Sequence, residues 1–429
     1  MSCGWLKKRL SSTAPKRPQK QVSETGVAIT GLGILSGYGV GCDAFEAGLF
    51  GGQSAIRPIS SFDPSGFDCR FGAEIPDFDA RAMVRKAELH QYDRVSLMAM
   101  AAADEALAHA DLDAADIAPV TGCMLGTGFG PAHAIQTSVL QADAGARLRP
   151  TTVVKMMLNS PTAALCARYG LQGGSAAHVS ACAASGHAIA QGAQAIRSGE
   201  MDLCLVGGAD GFPTTALFAA WQALGVMSTE HDPGKGIVRP FAPDRCGFVI
   251  GEAAAVLVLE RTDRARARGA PMLAEIVGTG SVTDTPSLTK PTLSGMQNAM
   301  RMAMKRGRIP PTAVGHINTH GTATELNDQL EAKAITSLFD ATTTHVTASK
   351  AAIGHCMGAG SAVEAVATVL ALTRQEVPPT LGVVGLDRDD TLGLDLGHAT
   401  AQPIQTDYAL SNSFAFGGHF VSLAFRKGT

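Results

Sequence analysis

A layered α/β fold is the architecture that this 429-residue sequence predicts, on three observations. Short apolar runs end in glycine, as in Val27-Ala-Ile-Thr-Gly-Leu-Gly, Val120-Thr-Gly-Cys-Met-Leu-Gly-Thr-Gly and Leu203-Cys-Leu-Val-Gly-Gly-Ala-Asp. Ala-rich stretches of good helix formers alternate with them. The composition, 45% hydrophobic and 17% charged, suits a large core and excludes a disordered, collagen-like or disulfide-dense chain. Apolar runs of strand length, bounded by glycine, read as strands buried on both faces and leading into covering helices.

In chain order, residues 1–24 form a basic segment, with six Lys/Arg and no acid in the first 23 residues. It reads as a disordered tail or, since it lacks acids and an apolar run, as an organellar presequence. Residues 94–111 read as a helix and 251–259 as a buried strand, closed by the charged stretch 260–268. That stretch is the seam between two halves, 25–265 and 266–429. Beyond it come a strand at 274–280, a helix at 295–306, a strand end at 316–321 and the segment 346–350. An Ala-rich helix at 359–372 and a hairpin from 408–413 and 420–425 finish the chain. The halves share element order rather than sequence, which points to an internal duplication.

The charge balance, 35 basic against 38 acidic residues, offers no basic field for phosphate neutralisation, so nucleic acid is not an expected partner. Nine cysteines, odd in number and without a C-x-x-C pair, indicate a reducing, cytoplasmic compartment. No run reaches the roughly 18 apolar residues of a membrane span.

Chemistry concentrates in His178-Val-Ser-Ala-Cys-Ala-Ala-Ser-Gly-His-Ala-Ile, where Cys182 stands between a strand end and an Ala-rich helix. A helix N-terminus favours a nucleophilic thiolate there; the other reading is a buried structural thiol. A thioester on Cys182 needs donors for a developing oxyanion. His320 in Asn318-Thr-His-Gly-Thr-Ala-Thr and His355 in Ser349-Lys-Ala-Ala-Ile-Gly-His-Cys-Met-Gly-Ala-Gly are candidates, each beside a glycine that lets a slender substrate approach.

Together, Ser-Ala-Cys182-Ala-Ala-Ser, Asn-Thr-His320-Gly-Thr-Ala-Thr, Ser-Lys350-Ala-Ala-Ile-Gly-His355 and Ser-Asn-Ser-Phe414-Ala-Phe-Gly-Gly resemble the β-ketoacyl-[acyl carrier protein] synthases, specifically the elongating type II enzymes. The order and the spacings of 138 and 35 residues between Cys182, His320 and His355 match as well. The resemblance implies a thiolase-like fold, two similar α/β halves in a five-layer αβαβα arrangement, usually dimeric. It implies an acyltransferase in which Cys182 accepts an acyl group from acyl carrier protein, while His320 and His355 hold the malonyl thioester oxygen during decarboxylation. By the same resemblance the backbone N–H groups of Cys182 and Phe414 form the oxyanion hole, and Phe414 is a gating ring on a loop loosened by Gly417 and Gly418. Thr322 and Thr324 match hydroxyls that hold the pantetheine arm. Lys350 matches a lysine that organises charge near His355, or it is an ion-pair partner, for example of Glu364.

Several positions depart from the family pattern. Phe129 stands where a smaller side chain at the bottom of the acyl pocket is usual, and it either shortens the pocket or packs in a dimer core. His419-Phe420 replaces Thr-Asn, Cys246 replaces an Asp, the segment 281–291 is short, and His178 enters a strand expected to be buried, where it would mark a subunit interface. These changes point away from housekeeping fatty-acid elongation and towards a polyketide, polyene or modified-lipid pathway. The expected partners are acyl carrier protein, which brings its own phosphopantetheine, and a second identical or related subunit. No bound cofactor and no metal are expected, because the histidines keep company with Gly and Thr rather than further ligands. The alternatives are a chain-length-factor subunit, which typically lacks the nucleophile; a thiolase, which needs a second C-terminal cysteine; and a fold-only acyl binder.

Overall fold

The computed structural model describes residues 25–113, 117, 121–340, 342–396 and 398–428. The basic tail and Val120 lie outside them. The strands are β1 (Val27–Ser36), β2 (Gly122–Gly126), β3 (Ser175–His178), β4 (Leu203–Asp210), β5 (Ala253–Arg261), β6 (Ala274–Thr283), β7 (Val314–Asn318), β8 (His345–Thr347), β9 (Tyr408–Ala415) and β10 (His419–Lys427). The main helices are α1 (Arg94–His109), α2 (Ser160–Tyr169), α3 (Ala184–Arg197), α4 (Leu293–Gly307), α5 (Glu325–Thr336), α6 (Lys350–Ile353) and α7 (Gly360–Arg374).

Hydrogen bonding runs through these strands in the order β8-β7-β9-β10-β6-β1-β5-β4-β2-β3. Numbered within each half, both sets read 3-2-4-5-1 from the outer edge inwards. The pairing senses repeat too: parallel for β2–β3, β2–β4, β7–β8 and β7–β9, antiparallel for β4–β5, β1–β5, β9–β10 and β6–β10. The halves join where β1 meets β6 antiparallel at Ala28↔Glu275 and Ile29↔Ala274.

Small residues set the layer spacing. A Cβ on Gly31 or Gly33 of β1 would run into the carbonyl oxygens of Ala106 and Ala102 on α1, and one on Gly278 or Gly280 of β6 into those of Ala303 and Ala299 on α4. The Gly-x-Gly pairs therefore let an outer helix lie directly on the first strand of each half. Between the two halves of the sheet lie α3 and α7. Every residue of α7 from Gly360 to Leu372 is buried, as befits a helix apolar on all sides. The core around α3 and α7 takes side chains from both halves, the core under α1 belongs to the first half alone, and the core under α4 is built from the second half with Phe241 and Ala242 of the first. The result is the αβαβα order of layers.

One expectation needs correction. His178 is half-buried, not enclosed, because β3 is an edge strand paired on one side only among the described residues. Gln191 of α3 interacts with the ring, but the ring's Nε2 is buried with no hydrogen-bond partner among the described residues.

Candidate active site

The turn after β3 holds Ala181 at φ +49°, a conformation that costs a non-glycine residue on the order of 1 kcal/mol and persists where its surroundings enforce it. It delivers Cys182 to the N-terminus of α3. There Ser361 of α7 donates to the Cys182 carbonyl at 2.9 Å, and the Ala362 N–H donates to Ser185 Oγ at 2.9 Å, stitching the two central helices together at the thiol.

His355 follows α6 through Gly354, at φ +68°, and its N–H donates to the Val249 carbonyl at 2.7 Å. His320 follows β7, and the Glu331 carboxylate of α5 accepts the N–H groups of His320 and Gly321 at 2.8 and 2.9 Å. The Asp328 carboxylate does the same for Thr322 at 3.0 Å. Two carboxylates on one helix thus hold the whole His320 loop.

These elements converge. His355 Nε2 lies 3.0 Å from Cys182 Sγ, and the rings of His320 and His355 are 5.5 Å apart at 84°. Phe248 stands edge-on to His355 at 4.9 Å and Phe414 to His320 at 6.2 Å. The second nitrogen of each imidazole identifies its tautomer. His355 Nδ1 accepts the Met357 N–H at 3.2 Å, and His320 Nδ1 faces the Lys350 ammonium at 3.3 Å. Each Nδ1 is an acceptor, so each neutral ring carries its proton on Nε2. Burial, followed by the Lys350 charge, holds both histidines well below the usual imidazole range and keeps them neutral.

Lys350 sits behind this pair, 1% exposed. Its ammonium donates to the His320 carbonyl at 2.6 Å and pairs with Glu364. The expected ion pair with Glu364 is present, and the ring that Lys350 touches is His320 rather than His355.

The thiol departs from expectation. Burial pushes Cys182 up to about 12, and the nearby Lys350 charge only partly opposes it. The helix terminus does not outweigh desolvation, so the resting group is a thiol rather than a thiolate.

Cys182, His320 and His355 open onto a cavity of about 420 Å³ that Thr322, Thr324 and Phe414 also line. Thr322 and Thr324 hydroxyls bond each other at 2.8 Å. Three lining aromatic rings escaped the sequence reading as site residues: Trp221, Phe248 and Phe416. Trp221 stacks on Phe416 at 5.9 Å and meets Phe248 edge-on at 5.8 Å. Phe129 does not line the cavity; it packs edge-on against the lining ring Trp221 at 6.3 Å. Gly417 and Gly418, at φ +78° and +69°, close the β9–β10 hairpin just beyond the lining ring Phe416. The Gly417 carbonyl accepts the Thr285 hydroxyl at 2.6 Å, which anchors the short segment 281–291 against the turn. Trp221→Ala is expected to lengthen the longest acyl group the protein accepts, and Phe129→Ala to change it less; intact mass spectrometry with a graded series of acyl donors reads both.

Asp210, at the end of β4, was also missed. Its fully buried carboxylate accepts Thr127 Oγ1 at 2.7 Å and the N–H groups of Gly128, Phe129 and Gly358 at 2.7, 2.8 and 2.7 Å. Gly358 is three residues past His355, so Asp210 ties the loop after β2 to the loop that carries the histidine. Asp210→Ala leaves these donors buried without a partner, and a loss of roughly 3 kcal/mol or more in denaturant unfolding is expected.

The buried carboxyls make stability pH-dependent. Burial raises Glu331 to about 8, Glu364 to about 7 and Asp328 to about 6. A carboxyl raised on folding stabilises below its unfolded pKa, and that contribution is lost as pH climbs through the folded value. The neutral buried histidines act in the opposite sense below about pH 6.5. The thermal midpoint is therefore expected to fall between about pH 6.5 and 7, and Glu331→Gln to flatten that fall, while above about pH 7 the Cys166 thiol, lowered to about 7, acts in the opposite sense.

The ligand-type atoms of Cys182, His320 and His355 lie within 4.8 Å of one another, as in a metal site. The tautomers argue for another use. Both Nε2 atoms present protons, and turning either lone pair inwards would set an N–H against the Lys350 ammonium or the Met357 N–H. The arrangement is built to donate to an oxyanion. No helix among the described residues is long and apolar enough to cross a membrane.

Comparison with known proteins agrees with this geometry. Residues 24–265 match the family model "Beta-ketoacyl synthase, N-terminal domain" and residues 273–384 match "Beta-ketoacyl synthase, C-terminal domain". The 3-oxoacyl-[acyl-carrier-protein] synthase 2 of Synechocystis sp. is 34% identical over 408 residues, 94% of this chain and 98% of that protein. A solved structure described as the ishigamide ketosynthase/chain length factor superposes with a TM-score of 0.87 at 31% identity, covering 94% of this chain and all of that one. A type II polyketide acyl carrier protein in complex with its ketosynthase gives a TM-score of 0.84 at 25% identity, covering 94% of this chain and 99% of that one.

Proposed function

The chain belongs to the β-ketoacyl synthase family, and from that premise we propose that Cys182, His320 and His355 carry out a decarboxylative Claisen condensation between an acyl thioester and malonyl-[acyl carrier protein]. The observation that carries this reading is the convergence of two neutral Nε2–H donors on one buried thiol, 3.0 Å from the nearer ring.

In the first step Cys182 Sγ attacks the acyl thioester, a new C–S bond forms, and the carrier's pantetheine thiol leaves with the Cys182 proton. The malonyl thioester then enters with its carbonyl oxygen between the two Nε2–H groups. Its carboxylate C–C bond breaks, CO₂ leaves, and the electron pair becomes an enolate stabilised by those donors. Donors aimed at developing charge in a water-poor site are the largest single contribution in such chemistry. The enolate carbon attacks the acyl carbonyl, whose oxygen is held by the backbone N–H groups of Cys182 and Phe414. The C–S bond breaks, and the departing sulfur meets the His355 Nε2–H beside it. Lys350 sets the His320 tautomer, Thr322 and Thr324 receive the pantetheine arm, and Phe414, which stands near the end of β9 rather than on a glycine-loosened loop, gates it.

The phosphopantetheine arrives on acyl carrier protein and is substrate, not a resident cofactor. The halves divide at residue 265, with the nucleophile in the first. The free edge of β3 and the exposed Val179 beside it support a dimer with a second copy or a related ketosynthase subunit. The dispersed cysteines support a cytoplasmic location. The aromatic group of Trp221, Phe248 and Phe416 and the thiol of Cys246 in the cavity wall support a specialised polyketide, polyene or lipid product. A chain-length-factor role has a relative in its favour, but the intact thiol and both donors oppose it.

The test is turnover of malonyl-[acyl carrier protein] with acyl-carrier-protein donors of graded length. The expected result is one CO₂ per 3-oxoacyl product. No product from any donor, alone or with a related subunit present, would leave the non-catalytic reading in its place.

A further inference from the structure

His187 stands in α3 a little over one helical turn beyond Cys182, and the condensing chemistry leaves it without a role. Its half-buried ring folds back along the helix onto the turn that carries the thiol. Nδ1 lies 2.8 Å from Ser180 Oγ and 3.1 Å from the Ala183 carbonyl, so the ring meets the chain on either side of Cys182. Nε2 lies 3.0 Å from Ser281 Oγ of β6. His419, the first residue of β10, stands edge-on to the same ring at 6.0 Å and 88°. Since β6 and β10 belong to the second half, this one side chain joins the nucleophile's turn to the other half of the protein.

A carbonyl oxygen only accepts, so Nδ1 carries the proton and shares it between Ala183 and Ser180 Oγ, while Nε2 accepts the Ser281 hydroxyl. This is the opposite tautomer to that of His320 and His355. Burial, followed by the neighbouring His419 and His178, lowers the ring to about 4 and keeps it neutral. The turn needs such a hold. Ala181 is left-handed at φ +49°, and the backbone bonds that close around it, Ala183 N–H to the Ser180 carbonyl at 3.2 Å and Ala184 N–H to the Ala181 carbonyl at 3.1 Å, are at the long end of the normal range. The conformation of Ser180 and Ala181 sets where the Cys182 sulfur and the Cys182 N–H point, whereas His320 and His355 hang on loops of their own.

We propose that His187 is a positioning residue for acyl transfer: its Nδ1–H clamps Ser180 and Ala183 on either side of Cys182, and its Nε2 ties that clamp to Ser281 of the second half. The inference rests on Cys182 being the acyl acceptor. The attacking sulfur and one oxyanion donor of that step both sit in the clamped turn, so loosening the clamp misplaces them together. Decarboxylation uses the two Nε2–H donors on the other loops and does not depend on the clamp. The two ring nitrogens can be replaced one at a time. The amide nitrogen of asparagine falls near the position of Nδ1 and that of glutamine near Nε2. His187→Asn therefore keeps the hold on Ser180 and Ala183, and His187→Gln keeps the tie to Ser281 alone.

The experiment measures the rate of acyl loading on full-length protein, by quenching reactions with acyl-[acyl carrier protein] and reading intact mass. His187→Gln is expected to load about tenfold more slowly than wild type, short of the roughly 10²-fold that a misplacement of about 1 Å can cost. His187→Asn is expected to load close to the wild-type rate. Release of CO₂ from malonyl-[acyl carrier protein] is compared between Cys182→Ala and Cys182→Ala/His187→Gln proteins, and the two are expected to match. A merely structural role would lower loading, CO₂ release and the thermal midpoint together. Unchanged loading by His187→Gln, an equal slowing by His187→Asn, or a loss of CO₂ release in step with loading would overturn the proposal. Wild-type protein that takes up no acyl group would instead overturn the reading of Cys182, and this inference with it.

Discussion

Cys182→Ala protein is expected to lose acyl loading entirely yet continue to release CO₂ from malonyl-[acyl carrier protein], and His320→Ala protein is expected to do the reverse. The argument is one of separable parts. The Cys182 sulfur, 3.0 Å from His355 Nε2, is the group that holds the acyl chain, whereas the enolate oxygen is stabilised by the two Nε2–H donors, which the Cys182→Ala change leaves in place. Their tautomers are set from behind, by Met357 N–H and Lys350, not by the thiol. Removing one oxyanion donor costs about 10²–10³-fold in the step it serves. His320→Ala should therefore slow decarboxylation by about that factor while acyl-Cys182 still accumulates, since His355 remains next to the sulfur. Intact mass for loading and CO₂ release for decarboxylation read the two halves separately. Equal loss of both functions in both variants would contradict the assignment.

Lys350→Met should be severe for a different reason. The ammonium and the Glu364 carboxylate are each 1% exposed, and removing one member leaves the other buried without its partner. Breaking such a pair typically costs about 3–5 kcal/mol, a large part of a domain's stability. The Lys350→Met/Glu364→Leu double variant replaces both charges with apolar groups and is expected to recover most of that stability in denaturant unfolding. Turnover should not recover with it. Without the ammonium, His320 Nδ1 has no donor, its tautomer is no longer determined, and the Nε2–H that faces the enolate is lost part of the time. Recovery of both stability and turnover would show that Lys350 is structural alone.

Local pattern made much of this protein legible. Strands and helices appear in the sequence because apolar runs ending in glycine and Ala-rich stretches are properties of adjacent residues. The helix read at 94–111 is Arg94–His109, and that at 359–372 is Gly360–Arg374. The small residues around Cys182, His320 and His355 mark them for the same reason. Other residues act across long separations and leave no local trace. Asp210 reaches Thr127 and Gly358, and Trp221 meets Phe416 over the cavity although each stands in an ordinary apolar context.

The sequence by itself determined the layered α/β class, the order of elements in two halves, and the chemical identities of the thiol and the two imidazoles. The tertiary structure alone decided that both halves share the strand order 3-2-4-5-1, since strand pairing rests on hydrogen bonds between distant segments. It also decided that Lys350 serves His320, that Phe129 stands behind Trp221, and that His178 lies at an edge. Finally it decided the protonation of the site: Cys182 a thiol, His320 and His355 neutral with their protons on Nε2. Those states follow from desolvation and from which donor faces which nitrogen, and both are properties of packing that no run of adjacent residues encodes.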